Sequence, residues 1–433
     1  MNTTINTDHQ KQTYLKVAQN IGAHLAKEAI WYKDRCSWVG SEVVAFDGHF
    51  QTVRRSFGNE VYSGLAGIAL FLARLNARQP DEVIGHTLDG TLNNILATFD
   101  EKLPGFGFYS GKLGIYCAFE KIGQLLNRKE FITFGLQGLY QLVEVPLQDF
   151  EIDVVSGAAG AIPALLQLYQ QYNDERLLRL AKKCGDFLLD KAIKDTVNHS
   201  VYWKTIEAPQ GLTGFSHGAA GMALALLELY AVTQETKYWE SAQGGFNYER
   251  RWFSPEQGNW PDLRNYDHNK PNEIACGFAW CHGAPGIALS RLRAYELVSA
   301  PEYGFKQEAE TALATTYQHI QQVLTNPATR NNYSLCHGIA GNAYSLLLGG
   351  VQLNKPHYVQ LAQQVGLAGI KMYDETHTAW PSGVNDPSGK TIGQEETPGL
   401  MLGLAGTGSF YLGLANLEDM VNVLIMRPEL VLA

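Results

Sequence analysis

Residues 217–232 read HGAAGMALALLELYAV, a Gly-x-x-Gly motif followed by a long run of small and apolar residues. Apolar residues on every face of a helix predict a helix that is buried on all sides. The motif and its run occur seven times, with first glycines at Gly64, Gly111, Gly157, Gly218, Gly283, Gly338 and Gly403. The copies lie 46 to 65 residues apart, which leaves room for a second helix in each repeat.

The segments between the motifs carry more charge and predict a different kind of helix. Residues 174–191 place leucine, alanine and phenylalanine at helical spacing among charged residues, as in a half-exposed helix. Each motif helix is expected to pair with one such half-exposed helix. Seven pairs, without a convincing alternating strand pattern, predict an all-α fold: a closed α/α toroid of seven inner and seven outer helices. An open array would need polar capping repeats, whereas the last motif is as apolar as the first.

Composition limits the class of protein. The 433 residues are 45% hydrophobic and 18% charged, which excludes a disordered chain, and the net charge of −9 disfavours a nucleic-acid partner. No apolar stretch approaches the roughly 20 residues of a transmembrane segment. Six scattered cysteines are too few for a disulfide scaffold and fit a reducing compartment, so we expect a cytoplasmic protein.

We expect one domain over residues 1–433. The polar segment 1–12 is expected to be disordered. Residues 244–273 are aromatic and polar and predict a long loop between two repeats, which we expect to form part of a peptide-binding rim.

Residues just before the first glycine indicate chemistry in three consecutive repeats. Histidines occupy this position at His217, His282 and His337, and the last two are preceded by Cys281 and Cys336. Equivalent positions in a toroid converge on one mouth. A catalytic zinc site uses three ligands of this kind and keeps a fourth position open. The residues alone leave open which histidine joins the two cysteines; we favour His337.

The fourth repeat has a histidine without a cysteine, which makes His217 a candidate acid or base. Asp153, an acid among apolar residues in the third repeat, is expected either to orient that histidine or to cap a helix. A zinc ion with two thiolate ligands suits binding an incoming thiol, which deprotonates on the metal. The residues therefore predict nucleophilic addition or alkylation of a thiol.

The motifs resemble those of the lanthionine synthetase C-like (LanC-like) cyclases from about residue 55 to the end. The resemblance rests on WCHGAPG at 280–286, SLCHGIAG at 334–341, GFSHGAAG at 214–221 and TPGLMLGLAGTG at 397–408. The segment WPDLR at 260–264 adds to this resemblance, which is closest to the cyclase domain of class II lanthipeptide synthetases.

The resemblance implies Michael-type addition of peptide cysteine thiolates to dehydroalanine or dehydrobutyrine, which forms lanthionine or methyllanthionine rings. It implies a Zn²⁺ ion held by Cys281, Cys336 and His337. His217 is then the proton donor or acceptor and Asp153 its partner. His282 lies at the position where some members have a tyrosine. The resemblance implies that His282 stabilises the enolate or delivers the proton.

The implied partner is a dehydrated ribosomal precursor peptide. A chain of 433 residues is expected to have no room for a dehydratase domain, so a separate dehydratase or the other half of a split enzyme is expected. Some stand-alone cyclases carry an arginine where this chain has Gly277. Either Arg264 in the preceding loop replaces that charge or the function is absent, so no arginine is assigned as catalytic.

Three alternatives stay open. A related enzyme would add glutathione to dehydroamino acids, and a zinc-stabilised scaffold would only bind peptides. A zinc-dependent prenyltransferase also places a thiolate beside zinc in an α/α barrel. That enzyme would need lysines and arginines near the mouth for a diphosphate, and no such cluster surrounds the Cys-His motifs.

Overall fold

Each apolar run after a Gly-x-x-Gly motif forms a helix in the computed structural model, which describes residues 8–46, 49–99, 105–205, 210–267, 269–270, 275–326, 332–384, 395–417 and 423–426. These inner helices are α2 (Leu65–Arg78), α4 (Lys112–Leu126), α6 (Ala158–Tyr172), α8 (Ala219–Thr233), α10 (Ala284–Leu297), α12 (Ile339–Gln352) and α14 (Leu404–Ala415). In α14 every residue is buried. The all-round burial predicted from the apolar runs is confirmed.

The outer helices bury one face each. Six of them follow an inner helix along the chain: α3 (Glu82–Thr98), α5 (Lys129–Gln141), α7 (Glu175–Lys191), α9 (Thr236–Trp252), α11 (Phe305–Thr325) and α13 (Pro356–Gly369). In α7 the buried residues recur at helical spacing from Leu177 to Leu188, as predicted for a half-exposed helix.

The seventh outer helix comes from the other end of the chain. Helix α1 (Asp8–Glu28) packs against α14, so the first helix completes the last pair. The expected disorder of residues 1–12 is therefore wrong for residues 8–12, which begin α1; residues 1–7 lie outside the described ranges. Residues from Tyr14 to Leu25 bury one face at helical spacing, and this contact stabilises the helix despite its polar start.

A ring of backbone hydrogen bonds closes the toroid. We call the residues two positions before each first glycine the inner ring; they are Tyr62, Tyr109, Val155, Ser216, Cys281, Cys336 and Met401. The carbonyl of each accepts an N–H from the loop of a neighbouring repeat. The bonds are Tyr62 N to Tyr109 O, Tyr109 N to Val155 O, Val154 N to Ser216 O, Ser216 N to Cys281 O, Trp280 N to Cys336 O, Cys336 N to Met401 O and Met401 N to Tyr62 O, at 2.8 to 3.2 Å. The predicted α/α toroid is thus confirmed as a closed ring.

The motif glycines are required by close backbone approach. A Cβ atom on the second glycine of every motif would lie 1.6 to 2.1 Å from the carbonyl oxygen six residues earlier. At Gly160, for example, that oxygen belongs to Val154, whose own N–H takes part in the ring of hydrogen bonds. The glycines therefore let each inner helix begin directly against the loop that carries the inner ring.

Gly160→Ala is expected to destabilise the protein by about 3 kcal/mol, because the added methyl group can be accommodated only if the backbone moves. The measurement is the free energy of unfolding in urea. Gly85→Ala is the matched control, since its Cβ would meet no atom closer than 3.4 Å and alanine is the better helix former. Equal stability of the two variants would contradict this explanation of the motif.

Three antiparallel hairpins among the described residues were not predicted. They are β1 (Ile30–Tyr32) with β2 (Arg35–Ser37), β3 (Val39–Phe46) with β4 (His49–Ser56), and β5 (Ile193–Asp195) with β6 (Ser200–Tyr202). Their registers place Ile30 opposite Ser37, Val39 opposite Ser56, and Ile193 opposite Tyr202. These hairpins lie in the connections between helices and do not change the fold class.

The loop predicted at 244–273 begins later than expected. Residues 244–252 belong to α9, because Gly244, Gly245 and Phe246 pack into the interior as part of that helix. The loop proper starts at Phe253, and within it Trp260 and Leu263 are buried. Residues 268 and 271–273 lie outside the described ranges.

The centre of the ring is filled by the end of the described chain. Residues 423–426 are buried, the Trp280 indole donates to Leu424 O at 2.8 Å, and the Tyr109 hydroxyl donates to Val423 O. Buried apolar side chains from all seven repeats form one continuous core. Among the described residues, no helix has the length and apolar character needed to cross a bilayer.

Candidate functional site

Two inner-ring thiols and an imidazole lie together at the mouth of the toroid. One ligand atom each from Cys281, Cys336 and His337 lies within 4.8 Å of the other two. The Trp280 N to Cys336 O bond, at 2.9 Å, holds the loops of the two cysteines side by side. Sharing of one proton holds the pKa of Cys336 below its usual value and raises that of Cys281.

The orientation of His337 suits metal binding. Its Nε2 donates a hydrogen bond to Gly383 O at 2.6 Å, which leaves Nδ1 for the two thiols. Ligating histidines in proteins commonly donate their other ring N–H to a carbonyl in this way. Two sulfurs and one imidazole nitrogen form the donor set of an open zinc site, so the residues present fit the metal expected from the sequence.

His217 and Asp153 form a fixed pair beside this cluster. His217 Nδ1 donates to Asp153 Oδ2 at 2.6 Å, and Asp153 Oδ1 accepts from Ser156 N at 2.7 Å and Ser156 Oγ at 2.8 Å. Asp153 therefore contacts the imidazole and the turn before α6, but it does not cap that helix, whose N-cap Gly157 has no side-chain hydrogen bond. Burial lowers the pKa of His217, but the bond to Asp153 and the carboxylate charge outweigh it and leave a raised pKa.

His282 lies next to His217, with ring centroids 6.1 Å apart, but outside the metal cluster. Only 2% of it is exposed, and burial lowers its pKa to about 4, so the ring is neutral. Nδ1 donates to Thr213 O at 3.3 Å, whereas Nε2 has no partner among the described residues. This tautomer makes Nε2 a hydrogen-bond acceptor.

Arg264 brings a positive charge to the site from the loop before α10. Its guanidinium makes a bidentate bond to Asp262, with Nη2 2.5 Å from Oδ2, and its charge acts on both Cys281 and Cys336. A Cβ on Gly277 would lie 3.0 Å from His282 O, a tight contact that any side chain at this position would have to relieve.

A buried glutamate that sequence reasoning missed supports the loop of His217. Glu249 of α9 accepts through Oε1 from Gly214 N at 3.1 Å and Ala220 N at 2.8 Å, on either side of the histidine. Burial raises its pKa to about 8, although the charge of Arg291 opposes that shift. A single acid in an outer helix gives no sequence signal of this contact.

Glu249→Gln is expected to change how stability depends on pH. The folded-state pKa lies above the usual 4.5, so the stabilisation present below pH 4.5 is lost as the pH rises toward about 8. Glutamine keeps the acceptor but cannot ionise. From pH 5 to pH 8 the unfolding free energy of the variant, relative to that of the parent protein, should increase by about 2 kcal/mol or more.

Unfolding in urea at both pH values measures this difference. Glu302→Gln, at an exposed glutamate, serves as control and should run parallel to the parent protein. If the unfolding free energies of Glu249→Gln and the parent protein changed with pH in parallel, Glu249 would be ionised in the folded protein.

Most of the chain matches a known protein family. A family model described as lanthionine synthetase C-like protein matches residues 55–425. Over 328 residues the chain is 24% identical to the lacticin 481/lactococcin biosynthesis protein LcnDR2 of Lactococcus lactis subsp. lactis, covering 74% of this chain and 32% of that protein. This chain thus spans about a third of that relative's length.

Two further relatives are matched over more of their length. The nisin biosynthesis protein NisC of Lactococcus lactis subsp. lactis is 26% identical over 314 residues, which cover 64% of this chain and 71% of NisC. The glutathione S-transferase LANCL1 of Danio rerio is 22% identical over 304 residues, with coverages of 66% and 68%. The solved structure of nisin cyclase has a TM-score of 0.62 at 19% identity, covers 86% of this chain and 93% of its own, and shows the same fold.

Proposed function

This chain belongs to the lanthionine synthetase C-like family, and from that premise we propose that it is a zinc-dependent lanthipeptide cyclase. It forms lanthionine and methyllanthionine thioether rings in a dehydrated ribosomal precursor peptide. The observation that carries the proposal is the cluster of Cys281, Cys336 and His337, whose ligand atoms lie within 4.8 Å of one another. Two relatives, a lacticin 481/lactococcin biosynthesis protein and a nisin biosynthesis protein, support the substrate class.

The metal site proposed for these three residues has a specific chemical purpose. A zinc ion bound there supplies an open coordination position that lowers the pKa of an incoming peptide thiol. Cys281 and Cys336 come from adjacent repeats, so the closed ring fixes the separation of their sulfurs. The hydrogen bond from His337 to Gly383 fixes the third donor.

The proposed reaction moves one proton and forms one bond. A peptide cysteine thiolate bonds to the β-carbon of dehydroalanine or dehydrobutyrine, the carbon–carbon π bond breaks, and the α-carbon gains a proton. The thiol loses one proton and the α-carbon gains one, so the mass of the peptide is unchanged. Asp153 holds Nδ1 of His217, and Nε2 is thereby the nitrogen that delivers the proton to the α-carbon.

Two neighbouring groups complete the proposed site. Arg264, anchored by Asp262, places positive charge where the enolate oxygen develops negative charge. His282 is neutral and its Nε2 is buried with no partner among the described residues, so we assign proton delivery to His217. We place the reaction in the cytoplasm, where peptide thiols stay reduced.

The test is incubation of the zinc-loaded protein with a chemically dehydrated peptide that contains cysteine. Free thiols are expected to disappear while the mass stays constant, and fragmentation between the linked residues should be suppressed. Persistence of free thiols in the presence of bound zinc would contradict the cyclase activity and support a peptide-binding scaffold. A precursor that must first be dehydrated is consistent with a separate dehydratase as partner.

The similarity to LANCL1 favours one second candidate, the addition of glutathione to dehydroamino acids. The same assay separates the two activities when glutathione is added. A ring-forming enzyme leaves the mass unchanged, whereas glutathione addition increases it by the mass of glutathione for each reacted residue. A peptide with dehydroalanine but no cysteine should be inert to the cyclase and should still react in the second case.

A further inference from the structure

A cavity separate from the metal cluster lies beside the last repeat. Its volume is about 340 Å³, near the lower end of the range of roughly 300–1,000 Å³ that is usual for ligand pockets. None of the three clustered metal donors lines it. Its polar and aromatic wall combines two side chains of α1 with four from the connection between α13 and α14: Asn20, His24, Tyr373, Asp374, Trp380 and Glu396.

The cavity lies on the mouth side of the toroid, within reach of the metal cluster. Leu404, the first residue of α14, lines it, and the inner helices begin at the mouth. Trp380 in its wall is three residues before Gly383, whose carbonyl accepts from His337. Three residues of extended chain span at most about 11 Å. A peptide whose cysteine is bound at the metal can therefore place a side chain a few residues away in this cavity.

The wall carries two carboxylates, of which one is paired with a basic side chain. Glu396 accepts from His24 Nε2 at 2.7 Å and from Trp380 N at 2.8 Å, and the bond to Glu396 raises the pKa of His24. Asp374 accepts from the uncharged amide of Asn20 at 3.0 and 3.3 Å, and its carboxylate has no ion-pair partner in the described part of the chain. Asp374 is thus a fixed negative charge that the protein leaves unneutralised.

The aromatic side of the wall is also fixed. The rings of Tyr373 and Trp380 are 5.0 Å apart, and both pack against Tyr333, with centroids 5.5 and 5.2 Å away. Aromatic rings attract organic cations, and they also pack against the aliphatic stems of lysine and arginine. Among the described residues that line the cavity there is no lysine or arginine to attract an anionic ligand.

The spacing of the acidic and imidazole groups favours an organic cation over a metal ion. A metal site needs several ligand atoms close together, and in the described ranges only Cys281, Cys336 and His337 meet that condition. The histidines and carboxylates of the cavity wall do not. A single unneutralised carboxylate beside aromatic rings instead fits one ammonium or guanidinium group.

We propose that this cavity is a subsite for the peptide substrate, where it binds the side chain of a lysine or arginine that lies a few residues from the reacting cysteine. Asp374 accepts from the cationic group, and Tyr373 and Trp380 pack against the side chain. The identity of the occupant as a substrate residue rests on the proposed cyclase function. The preference for an organic cation rests on the wall of the cavity alone.

The first experiment measures binding without turnover. Nα-acetyl-lysine methylamide, Nα-acetyl-norleucine methylamide and n-butylamine are titrated into the zinc-loaded protein in a calorimeter. The lysine probe is expected to bind about tenfold more tightly than the norleucine probe, which lacks only the ammonium group, and Asp374→Asn should abolish this difference. Asp34→Asn, at an exposed aspartate in the turn between β1 and β2, removes the same charge elsewhere and should match the parent protein.

The second experiment tests the substrate role. Dehydrated peptides with one cysteine carry either lysine or norleucine at each position up to five residues from the cysteine. At one or two of these spacings the lysine peptide should have a KM about tenfold lower than its norleucine counterpart. The preference should disappear in Asp374→Asn and persist in Asp34→Asn.

Each result decides one part of the inference. Equal binding of the lysine and norleucine probes by the parent protein, or an unchanged difference in Asp374→Asn, would overturn the cation site. Binding of n-butylamine as tight as that of the lysine probe, with equal KM values at every spacing, would indicate a site for free amines and overturn the substrate role. If no dehydrated peptide reacts, the proposed function fails, and the probe titration separately decides whether the cavity binds a cation.

Discussion

Cys336→Ala is expected to lose zinc and ring formation together. The substitution removes one of three donors that lie within 4.8 Å of one another, and it leaves Cys281 and His337 too few to hold the ion. Zinc per protein, measured by mass spectrometry of the metal, should fall from one toward zero. The rate of thiol loss from a dehydrated peptide should fall to that of the peptide alone.

Cys276→Ala is the control for this prediction. Cys276 lies five residues before Cys281 and is half-exposed, but its sulfur is outside the metal cluster. This variant should keep one zinc ion and the parent rate. Full zinc content in Cys336→Ala would show that the ion is held elsewhere and would remove the basis of the proposed mechanism.

His217→Ala is expected to separate metal binding from catalysis. The variant should keep its zinc, because His217 is not one of the clustered donors, and should lose about 10²- to 10⁴-fold in turnover, the contribution usual for a positioned acid or base. The measurement combines metal content with the rate of thiol loss. The control is His86→Ala, which changes a histidine of outer helix α3 that stacks on Trp31. This variant should keep the parent rate within about twofold.

The same pair gives a pH dependence with a defined sign. Asp153 keeps the pKa of His217 raised, so the imidazolium that donates the proton persists to higher pH, and the rate falls as the pH rises through that pKa. Asp153→Asn removes the charge, so the alkaline limb of the turnover profile should move to lower pH. A turnover that rises with pH in both proteins would assign His217 as a base.

The fold could be predicted because its signals are local and repeated. Seven Gly-x-x-Gly motifs followed by apolar runs predicted the inner helices, and the steric need for glycine is present in every copy. The pairing of α1 with α14 could not be read in this way, because α1 carries no motif and its partner lies at the far end of the chain. Its apolar face was nevertheless visible at Tyr14, Val17, Ile21 and Leu25.

The strands had a weaker signal. The β3 and β4 runs contain several β-branched and aromatic residues, and the Asp-Gly dipeptide at 47–48 between them is a typical hairpin signal. Two of the hairpins precede the first motif and the third lies between α7 and α8, so the predominance of helical periodicity hid them. Their omission did not affect the prediction of the site.

Much of the candidate site was predictable because equivalent repeat positions converge in a closed ring. Cys281, Cys336 and His337 come together, as do His217 and Asp153. Glu249 was not predictable, because it reaches the site through backbone N–H groups that only the folded structure brings to it.

The central claim is a zinc ion held by two thiolates with one position open to a peptide thiol. X-ray absorption spectroscopy of the zinc-loaded protein tests it most directly, before and after addition of a dehydrated peptide with one cysteine. The account predicts two sulfur neighbours at about 2.3 Å in the free protein and three in the complex. A sulfur count that stays at two while the peptide is bound, or a site without sulfur, would contradict it.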